Sequence, residues 1–318
     1  MKHSLTPRYT AVLATLVGLV ATLPGYAIPG PPPGTGAGST LPEVSVIAPR
    51  APTPAELAGN SVPSFVTAHA RPSPASGQLA RWHTPVCVSA FGLTSGFNSF
   101  VSERIAAIAT SVGAPTGAAN CKPNIHIYFT NDPQTLANQI AKQIPEALGF
   151  HYVSETRNLA TPRHPIEGWY ATATTGEKGT VQIDDPELLN PAAAGNGLLV
   201  SKTPPARLGT RLNTGRDSVL VHALILVDIR KVTGYEIGPI SDYLAMLVLS
   251  QTRQQDACGQ LPSILDLMAP GCNREKPTSV TAGDLAFLRA LYVSDLRTPY
   301  YAEMGSLSGK VLAELAPH

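Results

Sequence analysis

Apolar positions recur at helical spacing in two places near the C-terminal end of the chain. Ile240, Leu244, Leu247 and Val248 fall at i, i+4, i+7 and i+8, and Ala245, Met246 and Leu249 make the other faces apolar as well. A helix that is apolar all round is normally buried within a domain. The pattern predicts such a helix over 239–250, with Pro239 in the first position, where a missing N–H costs nothing. A second run, Leu285, Leu288, Leu291 and Tyr292, follows Thr281 and Asp284, whose spacing suits a reciprocal cap on the first helical turn.

Upstream, the pattern alternates between strand and helix. Trp82 to Ser89 reads as a strand, and Phe97, Val101, Ile105, Ile108 and Val112 as one face of a helix ended by Gly113. Ile125 to Thr130 reads as a strand that runs into Asp132-Pro133, an N-cap with a first-turn proline, and a helix carrying Leu136, Ile140 and Ile144. Trp169–Thr174 and Thr180–Ile183 read as a hairpin, and Ser218–Asp228 as a buried central strand. Runs of both kinds in this order imply an α+β domain.

Composition divides the chain further. Lys2 and Arg8, an apolar stretch from Ala11 to Leu23 and Gly25-Tyr-Ala27 make residues 1–27 read as a signal peptide. Residues 28–79, rich in Pro, Gly, Ala, Ser and Thr, are expected to be a disordered tail or linker, and residues 80–318 a single globular domain. Within the tail, Leu41–Ala48 could add a strand to a sheet edge. Taking Lys2 and Arg8 from the 23 basic residues leaves 21 against 22 acidic ones. So balanced a charge gives no case for nucleic acid or an anionic membrane as partner, and no later run is long enough to span a bilayer. A periplasmic or secreted location follows. Four cysteines suit an oxidising compartment. Three pairings are possible, and the nearest neighbours, Cys87 with Cys121 and Cys258 with Cys272, are expected to bridge.

The element order resembles that of the metzincin zinc peptidases, the matrixin type above all. Pro262-Ser-Ile-Leu265 with Met268 looks like the family's Met-turn segment, and Thr281–Tyr292 like its closing helix. A closer likeness is to exported proteobacterial proteins that share an Asp-Tyr-Leu-Ala-Met helix and a Leu-Arg-Ala-Leu-Tyr ending, and it brings no activity with it. The resemblance implies a zincin-like mixed sheet with packed helices and a central buried helix. The family's H-E-x-x-H-x-x-G-x-x-H pattern is missing from this chain. In the register argued from the residues, its ligand positions fall on Asp242, Met246 and Thr252, its base on Tyr243 and its glycine on Leu249. A thioether is a poor zinc ligand and a phenol no substitute for the carboxylate base, so standard zinc proteolysis is not expected. No cofactor is expected either.

The remaining chemistry is sparse. His222 and Asp228 share a face of a regular strand, and His126 lies in another strand. Together these three would supply a relocated metal or acid–base site of a hydrolase. As core residues, the histidines would simply be hydrogen-bonded. His151 and His164 sit near a loop, where binding residues concentrate. Trp169 and Tyr170 would line the cleft if the edge strand holds substrate as in the resembled family, or would pack across the hairpin. Asp184 and Asp185 point oppositely at a strand end and suit a turn or cap. The expected function is therefore non-catalytic binding of a peptide or envelope protein on a scaffold without its zinc ligands.

Overall fold

The computed structural model describes residues 53, 57–118, 120–176, 181–185, 215–252, 257–295 and 297–316. Its centre is β6 (Asp217–Asp228), which has a strand on each side. Along one side run β1 (Arg81–Trp82) and β3 (Ile125–Thr130), both parallel to it, with β2 (Val88–Phe91) parallel beyond β3. Along the other runs β4 (Ile166–Thr175), antiparallel, and β5 (Val181–Ile183) continues the sheet only opposite Ala173–Thr175. The result is a mixed six-stranded sheet with helices packed on it, an α+β fold.

Alternation along the strands sorts the two faces. Ile125, Ile127 and Phe129 of β3 join Ala223, Ile225 and Val227 of β6 in the main core. That face carries α2 (Ser95–Ser111), α6 (Ile237–Ser250), α7 (Ala282–Tyr292) and α8 (Tyr300–Leu315). Every residue of α6 from Pro239 to Ser250 is buried, as an all-apolar helix requires. Leu224 and Leu226 point to the opposite face, which packs against α3 (Pro133–Gln143) and the turn Pro145–Leu148. Two short helices, α4 (Thr156–Leu159) and α5 (Ile229–Val232), fill connections. Asp132 caps α3 by accepting from the Thr135 amide at 3.0 Å, and Thr281 and Asp284 form the reciprocal cap on α7.

The domain begins earlier than composition implies. Val62–His69 is a helix, α1, whose Val62, Phe65, Val66 and His69 are buried, and Leu79 is buried too. The expected tail boundary at residue 79 is thus corrected: the folded unit includes residues 57–79. Three apolar side chains at i, i+3 and i+4 are enough to dock α1, and the surrounding Pro, Ala and Ser conceal them in any average. Residues before Thr53, including the expected signal peptide and Leu41–Ala48, lie outside the described residues, as does most of the long connection after Asp185.

Other differences have local causes. The strand expected over 82–89 divides into β1 and β2 around Pro85, which cannot donate to a ladder. Helix α6 starts at Ile237 and not at Pro239, with Glu236 as its N-cap residue. Helix α8 was not foreseen. Its buried face is Glu303, Leu307 and Val311, and Glu303 pairs with buried Arg81 at 2.6 Å, tying the last helix to β1.

Disulfides join Cys87 to Cys121 and Cys258 to Cys272, with Cα separations of 5.9 and 5.5 Å. No helix among the described residues is long and apolar enough to cross a membrane. Both features are compatible with an extracytoplasmic protein.

Candidate functional site

Strand β4 supplies the site's backbone. The Asp228 amide donates to the Pro165 carbonyl at 2.8 Å, which sets the phase of the antiparallel ladder. Odd-numbered residues in this half of β4 therefore face β6, and Ile166, Gly168 and Tyr170 turn their N–H and C=O outward. Gly149 closes the edge at one end. It has φ +80°, and a Cβ there would lie 2.2 Å from the Tyr170 carbonyl oxygen. Past that point the Thr172 carbonyl accepts from the Asp184 amide, and β5 follows. No strand among the described residues covers the outward groups of Ile166 and Gly168.

A cleft of about 340 Å³ runs along this open edge. Residues 166–170 form one wall, Leu247 and Thr252 at the end of α6 another, and Arg71 and the loop 158–164 complete it. The Tyr170 phenol crosses from the strand to the helix: its hydroxyl lies 3.0 Å from the Leu247 carbonyl oxygen and 3.2 Å from that of Thr252. Gly168 leaves room for this ring, because a Cβ there would be 2.9 Å from the Tyr170 hydroxyl. Burial pushes the Tyr170 and Tyr243 phenols above their usual range, so both keep their protons at neutral pH.

Three polar atoms in or just beyond α6 are buried without hydrogen-bond partners: the Tyr243 hydroxyl, Thr252 Oγ1 and Gln251 Oε1. Gln251 also has φ 51°, a left-handed conformation that is uncommon in a residue with a side chain. Both orphaned polar atoms and unusual backbone are signs of functional sites.

The positions to which the resemblance assigns a zinc motif part company here. Thr252 lines the cleft, whereas Tyr243 is wholly buried and does not line it. Asp242 faces away, bound by Arg104 Nε and Nη2 at 2.6 and 2.9 Å and by the Val280 amide at 2.9 Å. Met246 is wholly buried in the core. The register argued from the sequence thus brings one of its four positions, Thr252, to the cleft. Leu247, one turn after Tyr243, is the neighbour that sequence reasoning passed over.

Histidine placement is mixed. His126 Nδ1 and His222 Nε2 meet at 3.0 Å on adjacent strands, both rings buried. Burial holds His126 down at about 4, and burial together with its partner holds His222 at about 3, so the pair is neutral. Asp228 does not join them. Six residues beyond His222, about 20 Å along a strand, its carboxylate caps α5 and pairs with Arg230 at 3.0 Å. Arg230 holds the Asp228 carboxyl below its ordinary range. Among the described residues, no three His, Cys, Asp or Glu side chains gather as a metal ion needs.

Trp169 donates its indole N–H to the Leu159 carbonyl at 3.0 Å, pinning the loop that forms one cleft wall. His164 lies in the same cleft, 3.2 Å from Glu167. His151 lies in a different cavity, of about 290 Å³, with Asp184 and Asp185. Its ring nitrogens lie 2.7 Å from the Gly149 carbonyl oxygen and 3.1 Å from Thr156 Oγ1. Asp184 is buried and accepts from the Thr172 and Thr174 hydroxyls at 2.5 and 2.8 Å; burial raises its pKa against these bonds.

Sequence reasoning missed a trio of His69, Ser263 and Asp284. Ser263 Oγ lies 3.1 Å from His69 Nε2 and 2.6 Å from Asp284 Oδ1. All three are buried, so the hydroxyl is no nucleophile for an outside substrate. It fastens α1 to the segment that begins at Pro262. No family model matches the chain, and neither a curated protein nor a solved structure does.

Proposed function

We propose that this is an exported, non-catalytic binding protein, periplasmic or secreted, that holds an extended peptide against the outer edge of β4. The observation that carries this reading is the unpaired pair of residues, Ile166 and Gly168, whose backbone groups face a cleft of about 340 Å³. An added strand satisfies such an edge with main-chain hydrogen bonds, and flanking pockets select side chains. The scaffold reading is zincin-like without zinc ligands. It is supported by an antiparallel strand beside a buried helix, with Asp242 and Met246 at positions where the resembled family needs imidazole and Tyr243 where it needs the carboxylate base.

Hydrogen exchange tests the mode of binding. A pool of N-acetylated hexapeptides of randomised sequence should slow exchange of the Ile166 and Gly168 amides. The Glu167 and Trp169 amides, which already face β6, should change little. Binding without protection at the two outward amides, or no binding, overturns the reading.

A further inference from the structure

We propose that a second copy of this chain pairs with the outer edge of β2, so that two sheets become one across a two-fold axis. This surface is separate from the cleft along β4 and does not depend on the peptide-binding reading.

The β2–β3 ladder decides which groups of β2 face outward. The Ile125 amide donates to the Cys87 carbonyl at 3.1 Å, so Cys87, Ser89 and Phe91 turn their N–H and C=O toward β3. Val88 and Ala90 turn theirs away, and these groups make no hydrogen bond to any described residue. Two residues before Val88 the same side is closed. The Val86 amide donates to the Pro115 carbonyl at 2.7 Å, and the Val86 carbonyl accepts from the Gly117 amide at 3.0 Å. At the other end Gly92, with φ +96°, turns the chain out of the strand. The open edge therefore runs from Cys87 to Phe91, with a stop at each end.

These stops make the edge self-complementary. In an antiparallel pair with Ser89 on the axis, Val88 faces the second copy's Ala90, and Ala90 faces its Val88. Every outward N–H and C=O is then satisfied. Blocked Val86 lies opposite the second copy's Gly92, where that strand has already turned away. Shifting the register either way sets Ala90 against blocked Val86, or Val88 against departing Gly92.

Charge favours a second copy as the occupant. From Cys87 to Ser102 the chain has no Asp, Glu, Lys, Arg or His. A two-fold axis brings like against like, so a charged edge would repel its own mate and this one does not. Edges that stay single are commonly guarded by Lys, Pro or a bulge, and Val88–Phe91 has none of these.

The neighbouring helix adds apolar area. Val101, Ile105 and Ile108 of α2 are buried. Sequence periodicity puts Phe97 on the same stripe, yet Phe97 is 52 % exposed, and Phe100, one turn on, is 42 % exposed. The stripe overhangs its own core. Only the connection 92–94 separates β2 from α2, so both rings stand near the open end of the edge. In the pair that end lies beside the second copy's uncharged 115–118 segment.

Sedimentation equilibrium of the purified protein at about 100 μM, well above the micromolar constants of modest dimers, should show a dimer. Phe97→Lys with Phe100→Lys should weaken it at least about tenfold and leave the fold intact, because both rings are exposed. Hydrogen exchange should slow at the Val88 and Ala90 amides as protein concentration rises, and stay constant at the Ser89 amide, which faces β3. Ser89→Cys should give a covalent dimer on oxidation, since Cα atoms of such an opposed pair lie about 4.5 Å apart. Thr110→Cys, exposed near the far end of α2, should not. A monomer at that concentration overturns the proposal. A dimer indifferent to the two lysines, with Val88 and Ala90 unprotected, overturns it as well. Protection of the two amides by the hexapeptide pool in a protein that stays monomeric makes this edge a peptide site and removes the second copy as its occupant.

Discussion

His126 Nδ1 lies 3.0 Å from His222 Nε2 across β3 and β6, with both imidazoles buried. One ring donates and the other accepts, an arrangement that a second proton on the pair destroys. The folded values of about 4 and about 3 stand below the ordinary imidazole value near 6.5. Between those limits the unfolded chain binds more protons than the folded one. Stability is therefore fully present above about pH 6.5 and falls as the pH drops toward 4, by up to roughly 1.4 kcal/mol per pH unit for each imidazole. Urea unfolding from pH 7 to 4 should show this fall, and the double variant His126→Phe, His222→Leu should make it shallower, with buried His69, whose value burial also lowers, still contributing. An equal slope in both proteins would place the proton uptake elsewhere.

The trio at His69 leads to a prediction about the N-terminal helix. His69 Nδ1 lies 2.7 Å from the Phe65 carbonyl oxygen, and its Nε2 reaches Ser263, whose hydroxyl also serves Asp284. Ser263→Ala removes the shared hydroxyl and leaves buried partners unsatisfied, at a cost of about 1–3 kcal/mol. Amides of α1 should exchange faster in this variant than those of β3. Uniform acceleration would mean that α1 is not a separately loosened unit.

Limited proteolysis distinguishes the observed N-terminal boundary from the one that composition implies. The resistant core should begin before Val62, since α1 is docked through Phe65 and Val66. A stable fragment starting near Arg81, without α1, would contradict that packing.

What was legible in the chain had strong local cause. Strand β3 occupies Ile125–Thr130 as its apolar run implies, and the caps at Asp132 and Thr281 act through side chains whose spacing is visible in the sequence. Helix α8 was hidden because Gly305 and Gly309 dilute its helical propensity, and because its buried Glu303 is explained only by Arg81, distant in sequence. The His126–His222 contact was a possibility that only the strand order could decide. The cleft was legible in part: Trp169, Tyr170 and His164 were named, whereas the roles of Arg71, Gly168 and Leu247 depend on which helix face meets β4. A one-residue difference along α6 rotates a side chain by about 100°, enough to send Asp242 to Arg104 and Tyr243 to the side that Leu247 shares.

Both disulfides should be intact in the purified protein, with peptide mapping linking Cys87 to Cys121 and Cys258 to Cys272. The second closes a loop of 14 residues' separation, so its removal should cost about 3 kcal/mol on the chain-entropy view. Crossed bridges or free thiols would be incompatible with the observed pairs.

Helix α6 carries structural and binding positions side by side, and substitutions should separate them. Met246 is wholly enclosed by the core, so Met246→Ala should destabilise by about 2–5 kcal/mol through lost contacts and a residual cavity. Its retention of peptides at a temperature where it remains folded should equal the wild type's. Asp242→Asn weakens the grip on Arg104 and the Val280 amide and should likewise cost stability and leave binding intact. Tyr243→Phe should act on stability in the opposite direction. Removing a buried hydroxyl that has no partner should leave the free protein equally stable or more stable by up to about 1 kcal/mol, because no hydrogen bond is lost and a desolvation cost disappears. Thermal unfolding and binding of the randomised hexapeptides, run on all three variants, test the division. If Met246→Ala abolishes binding while folded, the cleft does not lie on the face of α6 assigned to it.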